Sequence, residues 1–260
     1  MGLFSLPLIT ARAWKVWRRN LEVFSRTWKV NALPPFIEPI LYLLAIGFGL
    51  GGYIGSIAGV PYVQFIAPAL ISISAMNSAF FECTYGSYVR MYYMKTFDAI
   101  VATPVSLEEV IAGEILWGAT RGMIYTTIML PVLFAFGVIR MPGSLLAIPL
   151  AFLIGLLFAS IAMCFTAISP SIDALNYPSF LFITPMFLVS GTFFPLSTLP
   201  VVLQYFALAF LPLTHAVALM RGITLGPFTP VLLLSLAWIA VVTMVTFLLA
   251  VNLMKKRLIV

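Results

Sequence analysis

The sequence predicts an all-α integral membrane protein with six transmembrane helices, on three observations. Of its 260 residues, 62% are hydrophobic and 8% charged, with a mean hydropathy of +1.11. Soluble domains carry about a quarter charged residues, and a globule this apolar has too little polar surface to cover itself. Six stretches, near residues 36–54, 62–81, 110–139, 145–167, 177–192 and 231–254, approach the roughly 20 apolar residues that a hydrocarbon core demands. The net charge of +6 is concentrated at the two ends of the chain, where it suits an anionic lipid surface better than nucleic acid.

Residues 1–10 have no positive n-region and no small-residue cleavage site, so no removable signal is expected. Residues 11–31 form the first element. Trp14, Trp17, Leu21, Phe24 and Trp28 recur at helical spacing, and Arg12, Lys15, Arg19, Glu22, Arg26 and Lys29 recur on the opposite side. A basic face against a tryptophan-rich face predicts an amphipathic helix lying in the membrane interface. The alternative is a solvated helix packed on another subunit. Pro34 and Pro35 are expected to end it and turn the chain into the bilayer.

The first span carries Gly47, Gly51 and Gly55 at four-residue intervals, a small-residue face for close helix approach, and Gly118 and Gly122 repeat the device on the third. Pro131 is expected to kink the long third span, while the fifth is short. Residues 193–226 hold a further apolar run interrupted by Pro200 and Pro212. Arg12, Lys15, Arg18, Arg19, Arg26 and Lys29 precede the first span, and Lys255, Lys256 and Arg257 follow the last. Positive charge stays cytoplasmic, so both termini share a side and the number of crossings is even. Residues 193–226 are therefore expected to be a re-entrant or interfacial outer segment between spans five and six. This topology puts Arg90, Lys95, Asp98, Glu108 and Glu109 in a cytoplasmic loop, and Arg140 and Arg221 outside. The whole chain, 1–260, reads as one membrane domain.

The chain lacks a phosphate-binding glycine loop with its lysine, a zinc-protease helix motif and a cysteine pair at metal spacing. No enzyme, metal or cofactor is expected. Cys83 and Cys164 imply no disulfide, and the single histidine, His215, reads as structural. Energy for any transport must therefore come from a partner. Ionisable residues within spans are costly and usually purposeful. Glu114 and Arg121 lie seven apart on span three, where they could pair with each other or with Glu82 at the end of span two, and Glu38 is expected to be solvated. Residues 95–104 suggest a short amphipathic helix closed by Pro104, with Phe97, Ile100 and Val101 spaced to fill a groove on another protein.

Several segments, in order, resemble the ABC type-2 export permease family. They are Gly47-Phe-Gly-Leu-Gly-Gly52, Pro61-Tyr-Val-Gln-Phe-Ile-Ala-Pro-Ala-Leu70, Phe97-Asp-Ala-Ile-Val-Ala-Thr-Pro-Val105 and Thr184-Pro-Met-Phe-Leu-Val-Ser-Gly-Thr-Phe-Phe-Pro-Leu196. Within the family, Leu6-Pro-Leu-Ile-Thr-Ala-Arg12, Leu41-Tyr-Leu-Leu-Ala45 and Phe81-Glu-Cys-Thr-Tyr-Gly86 are similar to the subgroup that exports nodulation-factor lipo-oligosaccharides. The resemblance implies a permease subunit in the bacterial cytoplasmic (inner) membrane, a homodimer bound to two ABC ATPase subunits, exporting an amphiphilic substrate. It implies a coupling helix at Thr96, Phe97, Asp98, Ile100, Val101 and Pro104, a second cytoplasmic contact at Asp173, and an exit near Gly191, Phe193, Phe194 and Pro195. A secondary transporter driven by an ion gradient is the rival reading. It would need intramembrane acid pairs and an internal repeat. A membrane enzyme or scaffold would need polar groups converging at one depth.

Overall fold

The computed structural model describes residues 7–57, 59–139, 142–226 and 229–258. Arg140, expected as an outward cation, and Leu6 of the N-terminal motif lie outside the described residues. Helix α1 (Ala13–Arg26) is followed at Thr27 by α2 (Trp28–Tyr42), which widens into π-turns over Leu43–Leu50 and closes with α3 (Gly51–Ile54). A two-residue hairpin, β1 (Ser56–Ile57) against β2 (Val60–Pro61), reverses the chain. Then come α4 (Tyr62–Phe81), extended by π-turns at Glu82–Gly86 and Val89–Tyr93, and the short α5 (Thr96–Val101). The long α6 (Leu107–Ala135) and α7 (Ala147–Ile168) follow. The chain continues through α8 (Asn176–Pro178), π-turns over Ser179–Ile183, and α9 (Thr184–Val189). Finally α10 (Val201–Phe210), α11 (Pro212–Thr224) and α12 (Val231–Leu258) complete it.

The structure moves the expected first break. Pro34, Pro35 and Pro39 all lie inside α2, and the chain turns instead at Thr27 (φ −114°, ψ 15°). Proline forfeits a backbone donor and crowds the preceding turn, but grouped prolines confine that loss to a few carbonyls. Helix continuity survives, and the ladder loosens into π-turns from Leu43. A second correction concerns Glu82. Helical backbone runs on from α4 to Tyr93, so Glu82 does not end the span but sits within it, 7% exposed.

Among the described residues, four helical segments have the length and apolarity to cross a membrane: Trp28–Ile54, Tyr62–Tyr93, Gly143–Ile168 and Val231–Leu258. The pair α10–α11 bends by 89°, as a broken span or a re-entrant loop does. The expected third crossing, α6, is long enough at 29 residues but carries Glu114 and Arg121 and is not among these four. The expected fifth is divided among α8, π-turns and α9.

The core is formed where α4, α6 and α7 meet, with α12 against α7 and α11 against α4. Ile66, Ile71, Met76, Phe80, Ile111, Ile115, Leu130 and Phe158 are fully buried there. Small residues set these approaches. A Cβ on Gly155 would come within 2.9 Å of the Ala119 backbone, and one on Gly47 within 2.7 Å of Val63. Of the glycines read from the sequence, Gly47, Gly118 and Gly122 serve close contacts within the subunit, whereas a Cβ on Gly55 would meet nothing within 4 Å.

Candidate functional site: a buried charge network beneath the interfacial helix

Helix α1 is not free. Its Ala13, Val16 and Asn20 edge is buried on α6, where Gly113 lets it close in: a Cβ there would fall 2.6 Å from Val16 Cβ and 2.8 Å from the Ala13 carbonyl. Trp17 Nε1 donates to Thr120 Oγ1 at 2.8 Å, and Phe24 meets Trp117 edge-on with ring centroids 5.5 Å apart. Trp14 and Trp28 remain more than half exposed. The tryptophan face is thus divided, part docking on α6 and part left exposed.

Under α1 lies the network. Arg90 reaches Glu82 Oε1 through Nη1 at 2.7 Å, and Glu114 Oε2 through Nε at 2.9 Å and Nη2 at 2.6 Å. Glu114 also accepts from Ser87 Oγ and Asn20 Nδ2, each at 2.8 Å. Glu82 accepts from Trp117 Nε1 at 3.0 Å and pairs closely with Arg121 Nη1. Arg121 Nη2 donates to Tyr125 Oη at 2.8 Å. Arg19 stands off, with Nη2 3.7 Å from Glu114 Oε1. Of the three residues singled out within spans, Glu82 and Arg121 meet directly, while Glu114 is joined to Glu82 through Arg90. Sequence reasoning placed Arg90 in a loop and missed Arg19 and Asn20. The signal that could have found Asn20 is its place on the face of Ala13 and Val16. Each carboxylate is held by arginine, as buried charge requires, which leaves no Glu82–Glu114 acid pair for proton coupling.

Glu38 is half-buried and shares a cavity of about 350 Å³ with Ser74, Asn77, Glu82, Arg121 and Tyr125, so it is not simply solvated. Beyond Asn77 opens a larger groove of about 460 Å³ between α2, α4 and residues 176–187. Tyr42, Asn77, Phe81, Tyr85, Asn176 and Phe187 line it, and Tyr85 Oη donates to Asn176 Oδ1 at 2.7 Å.

The loop after span two folds as expected into a short helix, α5, entered through Lys95 at φ 52°. Its orientation corrects the groove-filling expectation. Phe97 is 1% exposed and packs in this chain's own core, with Ile100 half-buried against the same core. A turn of six residues cannot hold its place unaided, and its most apolar side chain anchors it. Asp98, Val101 and Pro104 face outward, while Thr96 is half-buried. The Pro104 carbonyl accepts from Arg12 Nη1 at 2.5 Å. Ser106 caps α6 in a reciprocal box with Glu109. The Thr10 hydroxyl, then the Ser106 and Thr10 amides, hold the Glu109 carboxyl below its ordinary pKa. Glu108 ties the Leu8 amide, at 2.5 Å, to Lys255. Asp173 is exposed on a 3₁₀ turn, Asp173–Leu175, near the place where Tyr88 Oη donates to the Pro170 carbonyl at 3.2 Å.

At the other end, Gly191 is buried at φ 71°, a conformation that suits a residue without Cβ. Phe193, Phe194 and Pro195 are half-buried, and Phe193 meets Phe187 edge-on with ring centroids 4.9 Å apart. Arg221, expected as an exposed outer cation, is instead packed inward. It donates to the Thr192 carbonyl at 3.0 Å and the Phe65 carbonyl at 3.3 Å, with its guanidinium carbon 3.8 Å from the centre of the Phe65 ring. His215 is a structural bridge, between the Leu208 carbonyl at 2.8 Å and Ser235 Oγ at 3.1 Å.

Residues 12–225 match the family described as ABC-2 type transporter. Nodulation protein J of Sinorhizobium fredii is 34% identical, covering 96% of this chain and 97% of its own. Nodulation protein J of Rhizobium leguminosarum bv. viciae is also 34% identical, covering 99% of each. The inner membrane transport permease YadH of Escherichia coli is 25% identical over 71% of this chain and 72% of its own. With a family match over most of its length and full-length relatives above 30% identity, the chain belongs to the ABC-2 type transporter family, as a multi-pass membrane permease that works with an ABC ATPase partner.

Proposed function

We propose that this permease is the homodimeric membrane half of an exporter that moves an amphiphilic glycoconjugate outward, in the manner of a lipo-oligosaccharide or glycolipid, driven by two ATPase subunits. The groove between α2, α4 and residues 176–187 carries the reading. It combines aromatic faces, at Tyr42, Phe81, Tyr85 and Phe187, with the amides Asn77 and Asn176. Rings pack on sugar faces and acyl chains, and amides match hydroxyl groups. The surrounding face stays apolar, with Phe180 and Leu181 about 70% exposed.

In this reading both termini are cytoplasmic, six spans cross the inner membrane, and α10–α11 forms a re-entrant outer segment. The ATPases meet Asp98, Val101 and Pro104 on one loop and Asp173 on another. Phe97, Thr96 and Ile100 hold that loop to the spans. The stroke passes through the Arg90 network into α4 and α6, and the cargo leaves past Gly191, Phe193, Phe194 and Pro195.

The test is ATP-dependent export from proteoliposomes containing the permease and its ATPase. Surface glycolipids that disappear on gene deletion identify the cargo. Asn77→Leu with Tyr85→Ala is expected to lower export at least tenfold while the complex still assembles. Unchanged export in that double variant overturns the groove assignment.

A further inference from the structure

We infer that a cavity beneath α1, separate from the aromatic groove, binds the phosphate of an anionic membrane phospholipid. The cavity holds about 430 Å³ between α1, the Thr27 break, the turns after α4 and α6. Arg19, Arg90 and Arg121 line it together with one carboxylate, Glu82, and Asn20, Asn31 and Thr96 are its neutral polar neighbours.

Two of these guanidiniums are under-used. Arg19 spends Nη2 on Asn20 Oδ1 at 2.6 Å, and its nearest carboxylate oxygen, on Glu114, is 3.7 Å away. Its Nε and Nη1 are buried and meet no acceptor among the described residues, and the same holds for Nε of Arg121. Buried donors without acceptors carry a desolvation penalty of about 1–3 kcal/mol each, more when charged. The local acids do not remove it. Glu82 and Glu114 are engaged by Arg90 and Arg121, and Glu38 lies in the adjoining cavity without an ion pair among the described residues. A phosphate oxyanion matches the fork of a guanidinium and supplies several acceptors at once.

The rest of the cavity distinguishes a lipid from a free anion. Val23, Phe24 and Met94 line it together with the guanidiniums, giving a glycerol backbone and the start of an acyl chain apolar walls. Trp28 and Val30 lie exposed just past the Thr27 break, while Lys15, Arg26 and Lys29 present exposed cationic side chains. Such a surface collects anionic lipid. A bound headgroup would join α1 to α4 and α6 where Arg19 alone reaches only 3.7 Å, so the lipid acts as a structural ligand and not as cargo.

The experiment uses the full-length permease in detergent, with native mass spectrometry for lipid retention and thermal unfolding for stabilisation. The probes are phosphatidylglycerol, phosphatidylcholine and inorganic phosphate, each added alone. One phosphatidylglycerol per chain is expected, retained about tenfold better than phosphatidylcholine, and inorganic phosphate is expected to give little stabilisation. Arg19→Gln should weaken retention about tenfold or more, as loss of a charge-assisted hydrogen bond does. Arg18→Gln removes an exposed arginine paired with Glu22 and should leave retention unchanged. Thr27→Trp, which fills the cavity and leaves every ion pair intact, should abolish it and decides the matter if Arg19→Gln fails to fold. Equal retention of the two lipids, retention unaffected by Thr27→Trp, or stabilisation by inorganic phosphate matching that by phosphatidylglycerol overturns the assignment. No transport is measured, so the outcome is independent of the export reading.

Discussion

The Arg90 guanidinium holds the Glu114 carboxylate at 2.6 Å, joining the turns after α4 to the N-terminal third of α6 at a point where Glu114 is fully buried. The other side of that carboxylate takes Asn20 from α1. One acid therefore connects α1, the turns after α4 and α6. The 95–106 loop begins five residues after Arg90.

Removing one partner of a buried ion pair leaves the other uncompensated, at about 3–5 kcal/mol. Glu114→Ala is accordingly expected to lower the unfolding temperature in detergent sharply. Arg90→Ala alone should do the same. The double variant is expected to lose clearly less than the sum of the two, a coupling that a double-mutant cycle measures directly. Strict additivity would show that the two side chains do not act as a pair.

Gly113 is the contact that seats α1. A methyl group there meets Val16 Cβ at 2.6 Å and the Ala13 carbonyl at 2.8 Å, and the backbone oxygen cannot give way as a flexible side chain would. Gly113→Val should release α1 from α6, read as faster proteolysis within residues 11–31. The loss of stability is expected to be on the order of 1–3 kcal/mol, as for other overpacked contacts. Val16→Ala removes only the Cγ1 contact at 2.9 Å and leaves the Cβ and carbonyl contacts, so it should recover little in Gly113→Ala.

Phe97 and Asp98 are neighbours with opposite expected effects. Phe97→Ala empties a fully buried site and should destabilise the protein by about 3–5 kcal/mol. Asp98→Arg changes only an exposed charge and should leave the unfolding temperature nearly unchanged. In the complex with the ATPase, Asp98→Arg is expected to reduce stimulation of ATP hydrolysis by cargo several-fold. Wild-type stimulation in that variant would remove Asp98 from the contact.

Arg221 braces the segment around Thr192 through two backbone carbonyls and the Phe65 ring. Arg221→Met retains apolar length but deprives the Thr192 and Phe65 carbonyls of their donor, for about 1–3 kcal/mol. Hydrogen exchange around residues 190–195 should rise in this variant, while exchange in α7 should not. Equal rises in both would point to global destabilisation instead of local loosening around residues 190–195.

Residence in a membrane, the all-helical class and the limits of the fourth expected span were legible in the sequence alone, because they depend on local apolar length. Residues 145–167 were expected as a span, and Gly143–Ile168 is one. Family membership was legible too, in short segments whose order is specific. Tertiary packing decided what depends on partners far along the chain. Phe97 has the spacing of a docking residue, yet it turns into its own core because a six-residue helix needs an anchor. Arg90 and Arg221 look like loop cations, but acceptors 8 to 156 residues distant draw them inward. Asn20 gains its role only because Gly113 lets α1 close on α6 and bring it within 2.8 Å of Glu114. Periodicity records which side of a helix is apolar, but the neighbour that covers it is set by close packing of segments about a hundred residues apart.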